Sequence, residues 1–172
     1  LRDVYKRQEF PLHGPKRSGE GYCFQRDIGE ASFADALVSV LRYTPRYLLV
    51  GEVRSSEAAR EVLRASVNGH LVITTIHAGS IEEALHRLLD LAAENEGRRA
   101  AQSVLADGLA GIFHQRLIDE GAMRRIEARF LFPAAMLGDP ARAIIRAGRI
   151  EHLSTEIEAQ TNRLLATGGI RW

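Results

Sequence analysis

At 172 residues, 45% hydrophobic and 26% charged, the chain is long enough for one domain with a real core and too short for two large ones. Its formal net charge of +1 gives no bulk field that would select nucleic acid or an acidic membrane, and no apolar run reaches the ~18 residues that cross a bilayer. A single cysteine, Cys23, excludes an internal disulfide framework and fits a reducing compartment, and no apolar segment follows the first charged residues in the manner of a secretory signal.

Residues 1–21 scatter Pro11, Gly14, Pro15, Gly19 and Gly21 among charges without a helical or strand period, and read as loop. "YCFQRDIG" reads as a short strand running into a turn. "ASFADALVSVLRYTP" predicts a helix capped by Ser32, with Asp35 three positions on and Phe33, Ala36, Leu37, Val40 and Leu41 on one face. Pro45 ends it, because its ring disfavours a helical residue before it.

"RYLLVGE" is a continuous apolar run, which in an α/β setting predicts a strand covered on both faces. "EAAREVLRASVNG" follows as a helix with Ala59, Val62, Leu63 and Ser66 inward, stopped at Asn68-Gly69. "HLVITTIH" predicts a second covered strand, and "SIEEALHRLLDLAA" a helix opened by a capping box, Ser80 with Glu83. Strand, helix, strand, helix with short links predicts parallel βαβ units.

From residue 97 the pattern changes. "RRAAQSVLADGLAGIFHQRLI" predicts one long amphipathic helix with Leu105, Leu109, Ile112, Phe113 and Leu117 along a stripe. "EARFLFPAAM" reads as a strand and short turn, and "DPARAIIRAG" with "IEHLSTEIEAQTNRLLATG" as a helical C-terminal lobe.

In an open parallel sheet, ligands bind beyond the carboxyl ends of the strands. Glu52, directly after "YLLVG", is delivered to that edge. In a nucleotide hydrolase a carboxylate there holds Mg²⁺ through water or orients the attacking water; an ordinary surface glutamate in a strand-to-helix loop is the plain alternative. His70 and His77 stand seven positions apart. A straight strand separates them by roughly 23 Å and points them to opposite faces, which argues against a shared metal ion and a His-based metal hydrolase. His77 leaves the strand at the Glu52 edge, where an imidazole can meet a phosphate oxygen. His70 enters at the far edge, where shaping the fold or a subunit contact is expected. His13, His86, His114 and His152 have no ligand spacing and read as surface or packing residues. The only two lysines are Lys6 and Lys16, and neither stands in the G-x-x-x-x-G-K-[ST] pattern of a phosphate-binding P-loop.

"FQRDIG", "SFADALVSVLRYTPRYLLVGEVRSSEAA" and "GHLVITTIHAGS", with a looser "AQSVLADGLAGIFHQRLI … PARAIIRAGRIEHLSTEIEAQ" behind them, resemble the secretion-system and type IV pilus motor ATPases, the PilT/GspE-like RecA-fold motors, over nearly everything from Glu9 onward. The resemblance implies an α/β fold: a truncated RecA-like P-loop NTPase core, its parallel sheet flanked by helices, in residues 9–96, and a helical C-terminal lobe in residues 97–172. It makes Glu52 the Walker B glutamate, reaching Mg²⁺ through water, and His70 and His77 the two histidines of a His box. Gly51, Arg54 and Thr75 fall on its nucleotide-binding side. Gly51 stands where many other nucleotide hydrolases carry aspartate, and Ser55 where pilus motors often do.

By the same resemblance the intact protein is a cytoplasmic homo-hexamer, peripheral to the inner membrane through a platform protein. It hydrolyses ATP with Mg²⁺ to power pilus assembly, pilus retraction or type II/IV secretion, with no nucleic-acid partner expected. The chain as it stands, without a P-loop, is expected to be inactive alone; the alternative is a noncatalytic subunit-assembly module. The family's acidic box is expected just before Glu9, where the chain reads "DVYKRQEF", so Leu1–Gln8 is read as a non-native leader or junction. A sheet without its P-loop strand is expected to expose an unpaired edge and to aggregate.

Overall fold

The structure, a computed structural model, describes residues 14–15, 22–25, 32–121, 123–134 and 139–166; the reading of Leu1–Gln8 as a leader lies outside them. The chain divides into two compact units, residues 1–44 and 45–172.

In the first unit, Gly14–Pro15 (β1), in a stretch expected to be loop, pairs antiparallel with Tyr22–Cys23 (β2), at the start of the expected short strand. Tyr22 and Phe24 lie with ring centroids 4.6 Å apart, and Phe24 stacks on Tyr43 at 5.4 Å. Helix α1 spans Phe33–Leu41 and buries Ala36 and Leu37 on the anticipated face. Ser32 holds the N-cap position, but its hydroxyl makes no capping hydrogen bond.

The second unit begins with Tyr47–Val50 (β3), helix α2 over Ser56–Val67 and Leu71–Thr74 (β4). The two strands are parallel, in register from Tyr47 opposite Leu71 to Val50 opposite Thr74. Ser55 starts α2 by accepting the Ala58 N–H at 3.2 Å. The helix buries Ala58, Ala59, Val62, Leu63 and Ala65, and stops at Asn68 before Gly69, whose φ of 90° suits glycine.

The strands are not covered on both faces. Leu48 and Val50 are buried, whereas Tyr47, Leu49, Leu71 and Ile73 line an exposed opposite face. Register dictates the split: residues two apart share a face, and parallel partners keep parity. The expected second strand is also shorter, since "TIH" at its end leaves the ladder. Neither strand has a further partner among the described residues. A parallel pair with one bare apolar face and two open edges is a template for association. Sedimentation velocity is expected to show the 172-residue chain associating as its concentration rises. The double substitution Leu49→Lys, Ile73→Lys is expected to suppress this; a wild-type chain that stays monomeric throughout contradicts it.

Helix α3 runs over Ile81–Glu96 and α4 over Arg98–Gly108, with Gly97 at φ 81° between them. Both pack against α2, with Ile81, Leu85, Leu89 and Leu105 essentially fully buried.

The long helix expected through Leu117 is two elements. After α4 the chain turns extended at Leu109, and Ile112–Glu120 (β5) pairs antiparallel with Met123–Leu131 (β6). Gly108 and Gly111 break the helical run. At Gly111 a Cβ would stand 2.6 Å from the Phe132 ring, so any other residue would have to displace that ring. Glu120 faces Met123 across a two-residue loop beginning with Gly121 at φ 66°, a hairpin signal that outweighed the helical spacing.

Helix α5, Pro140–Ala147, has proline in its first turn, Asp139 as N-cap and left-handed Gly148 after its end. A side chain at Gly148 would overlap the amide of buried Gln102. A 3-10 turn at Ile150–Leu153 leads into α6, Ser154–Ala166. Arg142 of α5 donates to the carbonyls of Ala106, Asp107, Leu109, Pro133 and Ala134. It thereby joins the end of α4 to the stretch after β6.

Candidate functional site

At the carboxyl ends of β3 and β4 the two loops are laced together. The Thr75 hydroxyl donates to the Gly51 carbonyl at 2.6 Å, and the Val53 N–H donates to the Thr75 carbonyl at 3.0 Å. Val53 is almost wholly buried, so the residue before it, Glu52, is fixed at the strand end between an anchored Gly51 and an anchored Val53. Its side chain is only 19% exposed, and Arg54 lies against it at 2.6 Å. The hydrogen bond from Arg54 holds the Glu52 carboxyl below its ordinary range, against a smaller opposing effect of burial; the charges of Arg54, His77 and Arg87 add to the lowering.

His77 Nε2 lies 3.7 Å from Glu52 Oε1, too long for a direct hydrogen bond and short enough for an ion pair when the ring is protonated. The ring is 72% exposed, so little packing orients it. Its backbone is held instead. Arg87 of α3 donates to the His77 carbonyl at 3.0 Å, and His114 Nε2 of β5 lies 3.2 Å from the Ala78 carbonyl. Glu83 accepts the Gly79 N–H at 2.7 Å, while the Ser80 hydroxyl accepts the Glu83 N–H at 3.1 Å. The expected capping box forms, with the glutamate reaching one residue further back than its usual target.

Five of the residues expected at the site, Gly51, Glu52, Arg54, Thr75 and His77, thus stand on the two loops at one sheet edge. Thr75 reaches it as a tie between the loops, its hydroxyl already given to Gly51. His70 does not join them. It precedes β4 at the opposite end; its N–H donates to the Ala65 carbonyl at 3.2 Å, and its Nδ1 is buried without a hydrogen-bond partner among the described residues. No three histidine, cysteine or acidic side chains converge to hold a metal ion among the described residues.

A family model described as Type II/IV secretion system protein matches residues 25–154. The chain belongs to this family. It is 31% identical over 163 residues to the "Competence protein ComGA" of Streptococcus pneumoniae, covering 91% of this chain and 50% of that protein. It is 33% identical over 153 residues to the "Type IV pilus retractation ATPase PilT" of Pseudomonas aeruginosa, covering 87% and 43%. Among solved structures, the pilus retraction motor PilT with bound ADP superposes with a TM-score of 0.67 at 31% identity, over 87% of this chain and 44% of that one. The ATPase DotB of Yersinia pseudotuberculosis, at 23% identity and a TM-score of 0.63, supports the fold. This secretion-family chain spans half or less of the length of the relatives it matches. Its α/β fold matches part of a RecA-like core, and the residues after it, expected to be a helical lobe, combine helices with the β5–β6 hairpin.

Arg87 and His114 were not singled out in the sequence as site residues. Arg87 stands one helical turn beyond Glu83, so a capping box that fixes one loop residue places the next turn beside its neighbour. His114 had no such signal, because it comes to the site only through the hairpin that the helical reading missed.

Proposed function

We propose that this chain is the part of a secretion or pilus motor ATPase that carries its Walker B and His-box residues, residues 9–96 completing a RecA-like core and 97–172 forming the lobe behind it. The observation that carries this is Glu52: one charged carboxylate held at the carboxyl end of a parallel strand, with His77 beside it on the neighbouring loop. Mg²⁺ binds readily through one carboxylate, several waters and substrate phosphates. A lone, ordered, ionised Glu52 suits that donor set. When bound with ATP, Mg²⁺ supplies charge neutralisation at the β- and γ-phosphates.

The chain's own residues then divide the work. Glu52 holds a metal-bound or attacking water. Arg54 shares the Glu52 carboxylate, and its half-exposed guanidinium would face added phosphate charge. His77 offers an N–H toward the γ-phosphate side, while Gly51 and Thr75 keep the two loops in register. His70 serves the placement of the strand. In the intact protein a homo-hexamer acting on an inner-membrane platform protein would turn hydrolysis into pilus movement or secretion from the cytoplasmic side. Because no P-loop lysine stands in these residues, the chain alone is expected not to turn over ATP.

A chimera tests the reading. Residues 45–166 replacing their counterpart in the Pseudomonas aeruginosa PilT named above are expected to retain Mg²⁺-dependent ATP hydrolysis. A chimera that assembles yet hydrolyses nothing would favour the noncatalytic assembly module.

A further inference from the structure

The loop after β4 has to aim a histidine that almost nothing packs against. An exposed ring takes its direction from its own backbone, and that backbone is gripped at three consecutive residues. Arg87 binds the carbonyl of His77; His114 binds the carbonyl of Ala78; Glu83 binds the N–H of Gly79. The last two groups belong to a single planar peptide unit, which is therefore held at both ends. With the preceding unit held by Arg87, the two peptide units flanking Ala78 are both tethered, which restrains both dihedrals of the residue next to His77. Gly79 is part of the fit, since a Cβ there would stand 2.8 Å from the Glu83 carboxylate.

Two of these contacts come from α3, which starts immediately after the loop. The third comes from β5, 36 residues further on. We propose that His114 is a positioning residue: by donating from Nε2 to the Ala78 carbonyl it fixes the loop that aims His77 at Glu52. The inference rests on the reading of Glu52 and His77 as the working site. Its chemistry is specific. A carbonyl only accepts, so His114 must carry a proton on Nε2. The neutral Nε2–H tautomer and the imidazolium both meet that need; the neutral Nδ1–H tautomer does not.

Ring ¹⁵N NMR of the full chain above the histidine pKa reads this directly. The expected His114 pattern is the Nε2–H tautomer, and an Nδ1–H pattern overturns the proposal. Amide hydrogen exchange and the His77 ring resonances give a second reading across three proteins. His114→Phe, which fills the space without a donor, is expected to speed exchange at Gly79 by about fivefold or more and to move the His77 ring signals. His114→Gln, which carries an N–H about as far from the backbone as Nε2, is expected to restore both to within about twofold of wild type. Equal perturbation by Gln and Phe, or none by Phe, overturns it. Should the Phe variant fail to fold, the wild-type tautomer and the Gln variant decide. None of these measurements uses nucleotide, so a failure of the ATPase reading leaves them standing, and their failure leaves that reading untouched.

Discussion

Arg142→Ala is expected to lower the stability of the second unit by about 3–5 kcal/mol. Arg142 is half-buried, and its five N–H groups are spent on five backbone carbonyls from two segments. Three of these, Ala106, Asp107 and Leu109, lie where α4 ends and its last carbonyls have no helical partner. Alanine would leave these acceptors to whatever water can reach them. Asp139 keeps its own bonds in the variant, since it accepts the backbone N–H groups of residue 142 at 3.0 Å and Ala134 at 2.9 Å, but the Ala134 carbonyl loses the Arg142 Nε–H. Against a total stability of about 5–15 kcal/mol the loss is severe. Urea unfolding of Arg142→Ala checks it, with Arg142→Lys as the informative control. An ammonium is a point donor without the planar fork, so lysine should recover only a minor part. Full recovery would show that charge, and not the fan of directed N–H groups, is what the site needs.

Glu52→Gln in the nucleotide-competent chimera is expected to reduce ATP turnover by about 100-fold or more while leaving folding and nucleotide binding largely intact. Glutamine keeps the shape and loses the charge, so it separates the carboxylate's work from its packing. Retention of more than about a tenth of the activity would exclude Glu52 as the acting carboxylate. The pH dependence has a definite sign. Arg54 holds the folded carboxyl of Glu52 below its ordinary value, so Glu52 stays ionised at neutral pH, and its contribution is lost only as pH falls through that depressed value. Arg54→Ala removes the largest cause of the depression. The acid limb attributable to Glu52 should then move to higher pH. Arg54 is 57% exposed, so added salt should shift the wild-type limb in the same direction.

The site edge was legible in the sequence because strand polarity alone carries it: an acidic residue after one parallel strand and a histidine after the next reach the same edge. Glu52 and His77 meet there. The separation of His70 from His77 followed from strand rise in the same way. The faces of the strands were less legible. "YLLV" reads as apolar throughout, and whether Tyr47 and Leu49 are covered depends on what else packs there. The hairpin was misread because Leu105, Leu109, Ile112 and Phe113 satisfy a helical stripe while Ile112 to Ile118 also suit a strand. Gly108, Gly111 and Gly121 carried the decisive signal, through close approach at Gly111 and a positive φ at Gly121. Missing the hairpin hid His114, so the geometry of the loop beyond His77 could not be read from spacing.

That loop also has a history in time. During synthesis, at about 5–20 residues per second, the segment bearing His114 follows the His77 loop by an interval on the order of seconds. Helix α3 can supply its two contacts as soon as it forms, but the third must wait for β5 to arrive across 36 residues. The edge carrying Glu52 and His77 therefore gains its full geometry only after the hairpin has closed. On unfolding, any opening of the hairpin removes this third contact while α3 still supplies its two.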